Sequence, residues 1–316
     1  MERREFLWVE KYRPDKIKDC ILTTRVKNSV KGIVKTGKIP NITFAGNCGI
    51  GKTTVAKALC KELEYDYLYV NASLDRGIDV VRQTLMDYSS KVSMKGKGKR
   101  KCVILDEADN MAPQTQPALR GFIEGFSKNC TFILTCNHPN KILDAVRSRC
   151  PVLDFDFREK DFKVIAAGFI KRMVFILKAE KVEFDSQVLV PFLKQHYPDF
   201  RKILGELQNY ANSFGEIDTG ILTLSQSYDI TSLIQILKDK KFTDLRIWIA
   251  ENSSYDPDRL FNEVYNLMSK CLKNDSIPAF GLILAQWQRD AYMAADKELH
   301  LLGCLTEIMH EGLVFK

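Results

Sequence analysis

Ile42-Thr-Phe-Ala-Gly46-Asn-Cys-Gly-Ile-Gly51-Lys52-Thr53-Thr54 is the stretch from which the rest of the chain can be read. A short apolar run predicts a strand, a glycine-punctuated turn follows, and Thr53 to Leu63 predicts a helix. The turn fulfils the phosphate-loop pattern in full, with Gly46, four residues, Gly51, Lys52 and a hydroxyl at Thr53. Its glycines let the backbone curl until successive N–H groups face one anion at the positive end of the following helix. In such a loop Cys48, Gly49, Ile50, Gly51 and Thr54 lie around the phosphates of ATP, Lys52 reaches the β- and γ-phosphates, and Thr53 ligates Mg²⁺. The bland alternative is a glycine-rich turn without a ligand, but the strand before and the helix after supply the context that the motif requires.

Downstream, Cys102-Val-Ile-Leu-Asp106-Glu107-Ala-Asp109 predicts a buried parallel strand with carboxylates at its C-terminal edge, where ligands of open α/β sheets bind. Asp106 there would hold Mg²⁺ through water, and Glu107 would act as base toward the attacking water. An acidic turn without chemistry is the alternative, disfavoured by the complete loop upstream. Further strands are predicted at Tyr65–Asn71, Cys130–Thr135 and Val152–Phe157, and helices at Arg25–Lys35, Ile78–Lys91 and Gln114–Phe126, the last with Leu119, Phe122, Ile123 and Phe126 on one face. Strands alternating with helices imply an α/β fold, a five-stranded, mostly parallel sheet covered on both faces. The leader Phe6-Leu-Trp8-Val-Glu-Lys-Tyr12-Arg13-Pro14 either lines a base pocket or packs as core. Lys95-Gly-Lys97-Gly-Lys99-Arg100-Lys101 is either a solvated loop or a nucleic-acid contact.

From Arg158 onward strand-like alternation disappears and apolar residues recur at helical spacing. Pro198-Asp199 marks a helix start with Asp199 as its cap. After a break near Ser225 to Ile230, helices are predicted at Thr231–Lys240, Thr243–Asn252, Pro257–Leu272, Ile277–Tyr292 and Lys297–Glu311. The expected division is residues 1–157 as nucleotide-binding core, 158–226 as a small helical lid and 227–316 as an all-helical collar.

Bulk composition fits this picture. The 316 residues are 45% hydrophobic and 28% charged, ordinary for a globular chain, and no apolar run reaches the ~20 residues of a membrane span. A charged N-terminus without an apolar core places the protein in the cytoplasm, away from membranes. Nine cysteines, without a Cys-x-x-Cys pair, argue against a zinc site and a disulfide framework. The net charge of +7 permits contact with a polyanion without requiring one.

Tyr12-Arg13-Pro14, Gly46 to Thr53, Asp106 to Asp109, Thr135-Cys136-Asn137 and Ser148-Arg149-Cys150 occur in an order that resembles sliding-clamp-loader ATPase subunits of the AAA+ class. The segments Tyr197-Pro-Asp-Phe-Arg201 and Asp218-Thr-Gly-Ile-Leu222 are most similar to the T4-type bacteriophage branch, with replication-factor-C small subunits next. The resemblance implies that Tyr12 and Arg13 belong to the nucleotide site. It implies that Asn137 is a sensor of the γ-phosphate, against a plain turn cap, and that Arg201 is a second sensor reaching from the lid, against a surface arginine. Arg149 would be a finger acting in trans on a neighbour's ATP, against a structural ion pair. Arg76, Arg82 and Lys141 would follow the DNA backbone, and Gln116 and Arg120 would couple DNA to the ATP site. A clamp contact falls on the Ile78–Lys91 helix, where Val81, Leu85 and Tyr88 are either anchors or core.

These expectations add up to a DNA- and clamp-stimulated ATPase with ATP and Mg²⁺ as cofactors. It would work in a ring of about five subunits that includes other copies of itself and a distinct partner subunit, with a sliding clamp and primer-template DNA as partners. An AAA+ replication initiator or helicase loader is the enzyme alternative, and a non-hydrolysing ATP-binding scaffold the alternative from another class. A helicase ranks lower, because no second nucleotide-binding core follows.

Overall fold

The computed structural model describes residues 6–73, 86–88, 100–111, 115–127, 129–224, 230–252 and 257–315. Arg76, Arg82, the Ile78–Lys91 helix except its residues 86–88, and the lysine-rich run from 95 to 99 lie outside these residues.

Five strands, β1 (Ile42–Ala45), β2 (Asp66–Asn71), β3 (Lys101–Asp106), β4 (Cys130–Cys136) and β5 (Val152–Asp154), form one sheet in the order β2-β3-β4-β1-β5. Every pairing is parallel. All of β3 is buried, which its continuous apolar run Cys102 to Leu105 permits only because both faces are covered. Alternation along the strand sorts the two layers. Ile104 packs with Val30, Phe44, Val55, Leu59 and Phe155 under helices Thr24–Thr36 and Lys52–Glu62. Val103 and Leu105 pack with Leu119, Ile123, Phe132 and Val146 under helices Thr115–Gly125 and Asp144–Arg147. The expected face of the Thr115–Gly125 helix is the buried one.

Helices Phe162–Ala179, Ser186–His196, Phe200–Phe214 and Gly220–Leu224 enclose a separate core around Phe169, Phe192, Ile203 and Leu207. Asp199 caps the third of these, accepting the Lys202 N–H at 3.0 Å, as its position before the apolar repeat predicts. Contrary to the reading that strand structure ends at Arg158, Glu183–Phe184 and Glu216–Ile217 form a two-residue parallel pair. Such a pair is too short to leave an alternating pattern in the sequence. Close contacts divide the chain into Met1–Ser225 and Gln226–Lys316. The second unit is helical, with Leu233, Trp248, Phe280 and Leu305 in its own core.

The leader packs as core at Trp8. Trp8, in the short helix Trp8–Lys11, is buried among Phe169, Leu193 and Ile203. Its N–H donates to Gln208 Oε1 at 2.8 Å, and Gln208 Nε2 donates to the Phe6 carbonyl at 2.9 Å. Gln208 is buried, so both polar ends are satisfied by the leader backbone. The basic run also has a structural end. Arg100 donates to the Gly37 carbonyl at 2.7 Å, and Lys101 is buried over the Tyr88 ring at 4.7 Å. Tyr88 itself is half-buried against the core and donates to the Asp66 carbonyl at 2.6 Å. All nine cysteines are free, and Cys48 is the exposed one.

Replacing Gln208 by Ala leaves the buried Trp8 N–H without its acceptor. We expect a loss of about 1–3 kcal/mol in denaturant unfolding and faster proteolysis of the leader. Unchanged stability and cleavage would show that Trp8 packing alone holds the leader.

Candidate active site

The register of the sheet sets the site. Ala45 of β1 lies beside Cys136 of β4, so Gly46 and Asn137 follow on adjacent strands, and the Gly46 N–H donates to the Cys136 carbonyl at 3.2 Å. Leu105 of β3 pairs with Leu134 of β4, which brings Asp106 beside Thr135. This is the C-terminal edge of a parallel sheet, where chain direction alone gathers loops from successive strands.

Gly46 has φ +143°, and a Cβ there would lie 2.9 Å from Asp156 Oδ1. That same oxygen accepts the Asn47 N–H at 2.8 Å, so an acid beyond β5 closes the first turn of the loop. Gly49 has φ +71°, and a Cβ would fall 1.8 Å from Asp199 Oδ1. The cap of the Phe200–Phe214 helix is therefore pressed onto the loop, and Arg201, two residues later, lines the same cleft as Cys48, Gly49, Ile50, Gly51, Thr53 and Thr54. Lys52 is buried, and its ammonium donates to the Gly46 and Asn47 carbonyls at 2.6 Å each and to Asn137 Oδ1 at 2.8 Å. Burial lowers its pKa from the ordinary lysine value.

Asp106 is held on both oxygens. Oδ1 accepts from Thr53 Oγ1 at 2.6 Å and from Thr135 Oγ1, and Oδ2 accepts from the Tyr69 hydroxyl at 2.7 Å. Burial opposes its ionisation, but the hydrogen bonds from Thr135, Thr53 and Tyr69 together outweigh this and hold its pKa below the ordinary carboxylate value. Burial and the same bond push the Tyr69 pKa up, so its hydroxyl stays protonated and able to donate. Glu107 follows with φ +55°, a left-handed conformation that costs a non-glycine residue about 1–3 kcal/mol. Its N–H donates to Thr135 Oγ1 at 3.1 Å, so one hydroxyl ties both acids together. Asp109 accepts the N–H groups of Asn137 and His138 at 3.0 and 2.9 Å and fixes the turn that carries Asn137.

Apolar walls complete the cleft: Val9, Tyr12 and Pro14 from the leader, Ile21 and Leu22, and Phe169, Phe200 and Leu204 from the helical bundle. Tyr12 keeps its ring at the wall while its hydroxyl donates to Glu180 at 2.5 Å, and Arg13 lines the cleft while bonded to Glu10. Among the described residues no group of three or more His, Cys, Asp or Glu could hold a metal. Thr53 and Asp106 instead offer hard oxygens beside the loop, a donor set that suits Mg²⁺ completed by substrate phosphates and water.

Four sequence-predicted residues lie elsewhere. Arg149 does not line the cleft; it pairs with Glu124 and donates to the Ala145 carbonyl at 2.7 Å. The ion pair posed as the alternative for Arg149 thus exists in the isolated chain. Arg120 shares Glu124 at 3.4 Å. Gln116 is buried, donating to the Lys141 carbonyl at 3.0 Å and accepting from the Leu143 N–H at 2.8 Å, while Lys141 is exposed. Tyr69, Thr135, Asp109, Asp156 and Asp199 act at the site without having been assigned to it from sequence. Thr135 and Asp156 sit at or just beyond strand C-termini, a signal available in the sequence; the contacts of Tyr69 and Asp199 are tertiary.

Residues 42–155 match the AAA family, the ATPase family associated with various cellular activities, and residues 161–223 match the AAA+ ATPase lid domain of the sliding-clamp-loader large subunit. The sliding-clamp-loader large subunit of Escherichia phage RB69 is 34% identical over 98% of this chain and 97% of its own length. A replication factor C small subunit from Saccharolobus solfataricus is 35% identical over 77% of this chain and 74% of its own. In fold, the chain is similar to the Thermotoga maritima RuvB Holliday junction branch migration motor, with a TM-score of 0.53 at 17% identity over 71% of this chain and 78% of that one. The 34% identity to a phage loader subunit over nearly the whole chain, together with a phosphate-loop pattern, paired acids and the Asn137 turn on one parallel sheet edge, means that the chain belongs to the sliding-clamp-loader family of AAA+ ATPases.

Proposed function

We propose that this chain is an ATP-hydrolysing subunit of a DNA sliding-clamp loader, built as a core (1–157), a lid (158–226) and a collar (227–316). ATP binding opens and holds the clamp; primer-template DNA triggers hydrolysis and release of the clamp on DNA. The observation that supports this reading best is the division of catalytic parts. The chain's own cleft gathers Lys52, Thr53, Asp106, Glu107, Asn137 and Arg201, whereas Arg149 stands outside it.

Thr53, and Asp106 through water, would hold Mg²⁺, which when bound would supply positive charge beside the phosphates. Lys52 exchanges the Gly46 and Asn47 carbonyls for phosphate oxygens and keeps its charge on the γ-phosphate. Glu107 orients the attacking water and accepts its proton, and Asn137 hydrogen-bonds the same water or the γ-phosphate. Arg201 binds the phosphates from the lid, so the angle of the lid reports what the loop holds. Arg149 gives up Glu124 and meets the ATP of the neighbouring subunit in a ring of about five.

DNA contact falls to Arg76, Arg82 and Lys141 through the phosphate backbone, without reading sequence. The Gln116 clamp on the Lys141 segment, and the Glu124 shared by Arg120 and Arg149, form a physical route from that contact to the finger. A replication initiator or helicase loader would share the core chemistry but respond to other partners, and a scaffold would need neither Glu107 nor Arg149.

The decisive measurement is ATPase of the assembled complex with primer-template DNA and the cognate clamp. Stimulation by both is expected, and stimulation by neither would refute the loader reading. Glu107→Gln should retain ATP binding while turnover falls about 10²–10⁴-fold; normal turnover would remove Glu107 as base. Arg149→Ala should bind ATP normally and lose stimulated turnover by about 10³-fold. Because the Glu124 pair is exposed, its loss should leave thermal unfolding near wild type, and undiminished stimulated turnover would reduce Arg149 to a structural role.

A further inference from the structure

We infer that Tyr69 is a positioning residue for metal coordination, acting through Asp106. This rests on the hydrolytic reading of the site. Tyr69 lies on β2, an edge strand of the sheet, opposite Ile104 of β3, and its side chain spans the distance to the end of β3 to donate to Asp106 Oδ2 at 2.7 Å. Its ring is held in turn by Lys57, whose ammonium lies 4.1 Å from the ring centroid. Lys57 belongs to the helix that begins at Lys52, so the phosphate-loop helix fixes the tyrosine and the tyrosine fixes the acid.

Acceptor capacity shows why this bond matters. An ionised carboxylate offers about four lone-pair directions. Thr53 and Thr135 occupy Oδ1, and Tyr69 occupies one direction on Oδ2. What remains open is a single direction on Oδ2, the place for a metal-bound water. Without the Tyr69 bond the carboxylate is anchored at one oxygen only, and rotation about its last torsion sweeps the open lone pair away from the metal. Groups that orient a metal-binding acid in this way commonly change metal affinity or activity by about 10–100-fold.

Full-length wild type and Tyr69→Phe are titrated with a fluorescent ATP analogue, first in EDTA and then with rising Mg²⁺. Phe keeps the ring and the cation contact and removes only the hydroxyl. The expected result for Tyr69→Phe is unchanged affinity in EDTA and a Mg²⁺ requirement for tight binding raised about tenfold. An unchanged or lowered Mg²⁺ requirement in Tyr69→Phe overturns the inference, the lowered case meaning that the hydroxyl competes with metal-bound water. Equal weakening with and without Mg²⁺ also overturns it, because that is the mark of lost packing. If wild type itself shows no Mg²⁺-dependent nucleotide binding, the hydrolytic reading fails instead.

Discussion

A carboxylate at the end of a buried parallel strand is stable only if neighbouring strands supply donors, and Asp106 meets that demand with three hydroxyls. Each comes from a different element: Thr53 from the loop helix after β1, Thr135 from β4 and Tyr69 from β2. Burial alone would push the acid toward its neutral form, and the donors reverse that. The site therefore depends on β2, β3, β4 and the loop helix being in register at once. Because Thr135 also takes the Glu107 N–H and Asp109 takes the N–H groups of Asn137 and His138, a slip at any of these strands would disturb both acids and the Asn137 turn together.

Two of the contacts that join the helical bundle to the leader and the sheet edge differ in character. One is apolar: Trp8, buried in the bundle core, with Gln208 meeting the leader backbone. The other is polar and tight: Asp199 against Gly49, close enough that no side chain fits at that glycine. The first secures the leader to the bundle while Val9, Tyr12 and Arg13 wall the cleft. The second places the start of the Phe200–Phe214 helix, with Arg201, over the phosphate loop.

Much of the fold was legible in sequence. The five strands and the helices predicted at Arg25–Lys35, Thr53–Leu63 and Gln114–Phe126 were marked by apolar runs and spacing, as were the last five helices, within a residue or two at most ends; the predicted fifth strand ran three residues past Asp154, and the four-residue helix Asp144–Arg147 was not marked. Pairs such as Glu183–Phe184 with Glu216–Ile217 were not, since two residues carry no period. Of the site, the loop, Asp106, Glu107 and Asn137 were readable because each is a residue type with a chemical requirement at a strand's C-terminal edge. Tyr69 was hidden because a tyrosine on a strand is ordinary strand composition, and nothing local says that its hydroxyl reaches another strand's acid.

The sequence by itself determined the residue types available: a complete phosphate-loop pattern, paired acids, an amide at a strand end and two arginines whose order resembles one family. It did so because loop geometry and strand-end acids are local requirements, carried by a few adjacent residues. Only the tertiary structure decided which groups meet. It placed Arg201 in the cleft and Arg149 on Glu124 outside it, buried Lys101 at the head of β3, and gave Asp106 its third hydroxyl. Those outcomes rest on strand order and register, which follow from packing both faces of the sheet at once and leave no mark at any single position.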